Sequence, residues 1–322
     1  MGLFKNFLEP GKIIGIFTIG TWINRRNQPN TGDESRPSLL TDNTEEQRPA
    51  QDRQSQVLHH GSRQRIHSRV VAQFPFLLEI WHWLLTYLIY QGLRAISVRT
   101  IAGPDAVFQK AEHHALQILS LEHQIHLDIE LFVQHFVLDR VPWLMGIFAR
   151  VYHSHIMLGV ALIVYCYTFF PRPHYQSIRR TLALENAIAF TVLSLWRCKP
   201  PRLLPEEFGF IDVLHNRSSS AWTQNKFRLT IAAMPSLHFG NSVLIAFCLG
   251  KYSPHWVLRV LSPLWPMVMG LTIVATANHF ILNAGAGVGV MAAFWFNRVM
   301  LVLLALERRL FQLIRLEKPR ES

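Results

Sequence analysis

The sequence predicts an all-α, polytopic membrane protein: six membrane-spanning helices, with an amphipathic helical segment on one side. Three observations predict it. Half of the 322 residues are hydrophobic and only 16% are charged. The apolar residues come in long blocks rather than in alternation, as spanning helices require. Arg and Lys gather at the ends of those blocks and in the tails, where they set topology and meet anionic headgroups. The net charge of +11 is therefore read as a membrane-surface feature. It comes without an aromatic-basic strip or a nucleic-acid motif, so nucleic acid is not an expected partner and the bilayer is. Cys166, Cys198 and Cys248 are too few and too scattered for a disulfide framework or a zinc site, and read as small hydrophobes.

Three regions are expected: residues 1–72 as a disordered tail with a short apolar element, 73–306 as the six-span domain, and 307–322 as a basic tail. Within the first, Ile13–Trp22 is too short to span a bilayer and suits an interfacial helix or a weak signal-like element. Asn24–Val70 is rich in Arg, Gln, Asp, Glu, Ser and Pro and cannot bury enough apolar surface to fold. Candidate spans follow near 76–97, 154–171, 181–197, 235–251, 257–277 and 284–305. Glu79, His82, Gln91 and Arg94 on the first of them are polar for a lipid-facing helix and are expected to face the bundle. Stretch 105–150 has helical spacing but too much charge for lipid, so one or two amphipathic interfacial helices are expected there. Its His113, His114, His123 and His126 lack the repeated boxes of membrane metal enzymes and read as interfacial histidines.

Six spans place the Arg-rich first tail, the loop PRPHYQSIRR (171–180), the loop KYSPHW (251–256) and the basic last tail on one side. The excess of Lys and Arg makes that side cytoplasmic. The other side, lumenal or extracellular, then carries 98–153, the loop 198–234 with its Asn216-Arg217-Ser218 sequon, and the turn around Asn278–His279.

On that outer side widely separated pieces converge. KPPRLLP (199–205) leaves the third span, MPSLH (234–238) enters the fourth, and TANHFILN (276–283) joins the fifth to the sixth. Separately, His153 and His155, near the same end of the second span, are candidate lining of the cavity. Arg202 and Lys199 supply fixed positive charge suited to a phosphate. Ser236 and the first N–H groups of the fourth span offer anion-binding donors. His238 and His279 form a pair fit to act as nucleophile and acid.

These elements resemble the type 2 phosphatidic acid phosphatase (PAP2) superfamily, which carries a Lys/Arg-Pro element, a Pro-Ser-x-His element and a later His-x-x-x-Asp element. The Leu in PSLH, the TANHF context and the stretches YLIYQGLRA (87–95), LEHQIHLDIE (121–130) and VYHSHIMLGV (151–160) are most similar to its inositolphosphotransferase branch, which includes inositol phosphorylceramide synthases. The resemblance spans about residues 74–306. It implies that His279 attacks phosphorus to form a phosphohistidine and that His238 protonates the leaving alkoxide. Arg202 and Ser236, with Lys199 as a helper, would bind the phosphoryl oxygens. No metal or cofactor is implied. The substrate class would be a lipid phosphate, diphosphate or phosphoinositol lipid, and the setting an endomembrane (ER or Golgi) with the site facing the lumen.

Where the family has its orienting aspartate, this chain has Asn283. The family's Arg six residues before the second His is here Ile273, and its Lys before the first Arg falls at Leu195. An amide accepts an imidazole N–H without full charge; in a serine protease that exchange lowers turnover by roughly four orders of magnitude. Two readings stay open: a lipid phosphatase or phosphotransferase in which Asn283 or a recruited acid such as Asp212 suffices, and an inactive relative that binds anionic lipids as an interaction protein.

Overall fold

A computed structural model describes residues 2–25, 73–101, 105–214, 231, 233–295, 305 and 309. The described residues are helical, without a strand. They form α1 (Gly2–Ile23), α2 (Phe76–Ile101), α3 (Asp105–Gln124), α4 (Glu130–Arg140), α5 (Pro142–Phe169), α6 (Arg172–Leu195), α7 (Leu237–Tyr252), α8 (Trp256–Leu261), α9 (Leu264–Ala275) and α10 (Ile281–Trp295). Short 3-10 turns, Pro201–Leu203 and Glu206–Phe208, lie in the link between α6 and α7. The sequon at 216–218 and the expected disordered segment beyond Arg25 lie outside the described residues. So do the end of the expected sixth span and the basic last tail, apart from Ala305 and Arg309.

Two helices are long and apolar enough to cross a membrane: α5, and the run Trp256–Ala275 that joins α8 to α9. The other expected spans are helical at their places but differ from a plain lipid span. α2 and α6 carry Glu79, Arg179 and Glu185, and α7 is 16 residues long. Helix α5 starts well before 154 because Pro142 sits at its first position, where the missing N–H costs nothing. Stretch 105–140 forms two helices, α3 and α4, as its spacing indicates; α3 buries Ala111, Ala115 and Ile118. The apolar element Ile13–Trp22 belongs to the longer helix α1, whose Ile13 and Phe17 enter the main core beside Phe76, Val160 and Tyr167. It therefore packs on α5 and α2 instead of standing apart from the bundle.

Helix α7 is the central element and packs most extensively on α10 and α9, with α8, α6 and α5 completing its surround. Two glycines allow the closest approach. A Cβ at Gly287 would overlap the carbonyl oxygen of Ser236, and a Cβ at Gly240 would come within 2.9 Å of Gly287 O. Small residues at a helix crossing bring backbones together where burial of apolar surface drives little association. One polar cluster joins α2 and α6 inside the bundle: Arg179 donates to Glu79 at 2.7 Å, and the Tyr175 hydroxyl donates to the same carboxylate at 3.0 Å. At the far end of α7, Tyr165 Oη lies 2.6 Å from both Ser253 Oγ and His255 Nδ1, tying α5 to the turn before α8.

Candidate active site

Three segments distant in sequence meet at the N-terminal end of α7, and backbone hydrogen bonds lace them together. Cys198 N–H donates to Ile231 O (3.2 Å), and Ala233 N–H donates to Cys198 O (3.0 Å). Arg202 N–H donates to Ala277 O, and Ser236 N–H donates to Asn283 O (3.0 and 2.9 Å). The link from α9 to α10 is tight: Ala277 is left-handed, with φ of 47°, and fully buried. For a residue with a Cβ that conformation costs roughly 1–2 kcal/mol. The bond from Arg202 N–H helps hold it.

The result of that turn is the placement of His279, which is 6% exposed. Its Nδ1 lies 2.6 Å from Ala233 O. A carbonyl oxygen only accepts, so Nδ1 carries the proton and Nε2 keeps its lone pair. Burial pushes the His279 imidazole down to about 4, the Arg202 charge acting in the same direction and the bond to Ala233 O against it. His279 is therefore neutral near pH 7.

His238 lies in the first turn of α7, its ring centroid 5.7 Å from that of His279. Two side chains of α5 hold it: Tyr152 stacks at 4.3 Å with an interplanar angle of 19°, and His155 lies at 4.7 Å. His238 is only partly buried.

Arg202, on the first 3-10 turn, is anchored by acceptors of two segments. Its Nε donates to Asn278 Oδ1 at 2.6 Å, and Nη1 donates to Asp212 Oδ2 at 3.3 Å. Asn278 Nδ2 donates in turn to Thr276 Oγ1, and that hydroxyl to Thr272 O, both at 2.7 Å. Arg202 is thus aimed by a chain of hydrogen bonds rooted in α9. Ser236 is fully buried and caps α7, its Oγ accepting from Phe239 N–H at 3.4 Å.

Two residues singled out from the sequence stand apart from this group. Lys199 turns away toward α3, where Nζ donates to Glu112 Oε2. Asn283 is fully buried in the first turn of α10, and among the described residues neither amide atom has a hydrogen-bond partner. It does not receive the His279 N–H; Ala233 O does. Asp212, the acid weighed as a substitute, serves Arg202.

Ala233, Tyr152 and Asn278 carry the arrangement without having been marked by the sequence. Nor were Glu122 and Glu130, whose carboxyl oxygens accept from Leu282 N–H (2.7 Å) and Ile281 N–H (2.9 Å), next to His279 in the chain. The spacing of two buried acids in an amphipathic segment was the available signal for that pair.

The family model described as the PAP2 superfamily matches residues 116–296. No curated protein and no solved structure matches at a significant level.

Proposed function

We propose, from the premise that the chain belongs to the PAP2 superfamily, that it is a membrane-embedded lipid phosphatase or phosphotransferase working through a phosphohistidine. Members of that superfamily are generally phosphatases, so phosphatase-type chemistry is the common ground. The observation that carries the finer reading is the His279 hydrogen bond to Ala233 O, which leaves Nε2 as a free nucleophile beside His238.

In the proposed reaction Nε2 of His279 attacks phosphorus as the bond to the leaving oxygen breaks. Protonated His238 gives its proton to the departing alkoxide; the anionic substrate favours that protonated form once bound. Water, or the hydroxyl of a second lipid, then attacks the phosphohistidine and returns its proton to His238. Arg202 and the N–H groups that start α7 stabilise the equatorial oxygens, with Ser236 setting the cap. Lys199, engaged by Glu112, anchors the loop instead of lining the phosphate site.

We place six spans across the bilayer, with α3 and α4 at the interface. The site then faces the lumenal side of an endomembrane, so the lipid tails stay in the bilayer while the phosphate reaches the histidines. The substrate class is a lipid phosphate, a lipid diphosphate or a phosphoinositol lipid, and likeness to the inositolphosphotransferase branch favours head-group transfer over hydrolysis. The test is phosphate release and head-group transfer by purified protein in mixed micelles across those donors, beside His279→Ala. Turnover that the variant loses by at least about a thousandfold supports the proposal. Turnover unchanged in the variant sinks it, and silence across the panel with lipid binding retained favours an inactive lipid-binding relative.

A further inference from the structure

We propose that Glu122 and Glu130 are positioning residues, a carboxyl pair holding one proton between them that fixes His279 by clamping the first turn of α10. The inference rests on the reading of His279 as nucleophile.

Geometry comes first. The opening N–H groups of a helix have no partner within it, and a nearby carboxylate satisfies them and favours the dipole. Here two acids from two helices take adjacent N–H groups: Glu122 of α3 on Leu282, and Glu130 of α4 on Ile281. Both side chains are essentially sealed, at 0% and 1% exposure. Ile281 follows His279 by one intervening residue, so the clamp and the bond to Ala233 O hold the nucleophile from both sides. The turn joining α3 to α4 is closed by His123 Nδ1 on Asp128 Oδ2 at 2.7 Å, which sets the two acids relative to each other.

Charge comes next. Among the described residues neither carboxyl has an ion-pair partner of opposite sign. Besides the backbone N–H groups, the titratable side chains acting on them are each other, Asp128 on Glu130, and the Cys198 thiol beside Glu122. All are acids. Two like charges this buried, on adjacent N–H groups, do not both ionise. The remaining oxygens, Glu122 Oε2 and Glu130 Oε2, are buried without a hydrogen-bond partner among the described residues. A proton held between the carboxyls is the donor the pair itself supplies.

Burial pushes Glu122 up to about 8, and burial raises Glu130 as well. A folded-state value raised above the ordinary 4.5 means that the proton stabilises the folded form. That stability is complete below the ordinary value and is lost as pH rises through about 8, when the second charge appears. The clamp therefore loosens on the alkaline side.

The test uses the full-length protein with Glu122→Gln, Glu130→Gln, Glu122→Ala and Glu130→Ala. Backbone amide exchange of the 278–283 peptide is measured without ligand. kcat and KM are measured from pH 5 to 10 with the best donor of the micelle panel. The alanine variants are expected to exchange at Ile281 and Leu282 at least tenfold faster, and to lose at least tenfold in kcat with KM within twofold. The glutamine variants, whose amide replaces the protonated partner, are expected within threefold of wild type at pH 7 and free of its alkaline decline. Alanine variants that fold with unchanged exchange and kcat overturn the proposal, as do glutamine variants that keep the decline. If the alanine variants do not fold, the glutamine pH profiles and exchange decide alone. A wild type silent toward every donor, with exchange responding as stated, supports the clamp and refutes the reaction reading.

Discussion

At the scale of single residues, the orienting acceptor for His279 is a backbone carbonyl, and this changes what position 283 is for. Ala233 O fixes the imidazole tautomer, while Asn283 is sealed near Cys198, whose thiol burial pushes up to about 12. Asn283→Asp therefore adds a buried carboxyl with no basic partner. It is expected to lower stability by about 1–3 kcal/mol and to raise kcat by no more than about twofold. A tenfold gain with an unchanged melting temperature would return the orienting role to that side chain. The neutral state of His279 makes a second prediction. Because its imidazole sits at about 4, kcat/KM for a phosphoinositol donor should climb with pH through about that value and level off until the alkaline decline, since only the neutral ring attacks. An acid limb centred near the ordinary histidine value would assign the nucleophile elsewhere. That His238, His279, Arg202 and Ser236 belong to one group could be read from the sequence because each lies in a short motif whose residue types suit a phosphate; their roles stay part of the proposal. Ala233 could not be, since a main-chain acceptor leaves no trace in residue identity. The pairing of Lys199 was hidden for a different reason: its partner Glu112 is far away in sequence and becomes visible only when α3 folds back.

At the scale of elements, the site depends on how closely α7 and α10 cross. Gly287→Ala would drive a methyl group into Ser236 O and is expected to cost about 1–3 kcal/mol, with a fall in kcat because Ser236 caps the helix that carries His238. Gly285 and Gly289 on the same helix face open space. Their alanine variants should be neutral or up to about 1 kcal/mol more stable, as read by thermal unfolding in detergent. Equal losses at all three positions would contradict the crossing. Helix existence was readable here from apolar periodicity, and the amphipathic character of 105–140 from its charge. The start of α5 was not, because Arg150, His153 and His155 interrupt the apolar block although Pro142 opens the helix. The docking of α1 was hidden as well: a ten-residue apolar stretch does not reveal that Gly20 lets it approach Phe76 and Val164 closely.

At the scale of the whole molecule, the proposed orientation puts the two ends of α7 on opposite sides of the membrane. Sixteen helical residues at 1.5 Å each cover roughly 24 Å. The described native cysteines are buried, so introduced thiols report cleanly. In sealed vesicles, Glu207→Cys beside the site and Lys251→Cys at the far end should react with an impermeant maleimide from opposite faces. Labelling of both from one face would overturn the six-span arrangement. The covalent step can be trapped on the enzyme. Purified protein is mixed briefly with a phosphorus-labelled form of its best donor, quenched in alkali, where phosphohistidine survives, and mapped by mass spectrometry. Label is expected on Nε2 of His279 and absent from His279→Ala. Sustained turnover with no label on His279, or undiminished turnover in that variant, would contradict it.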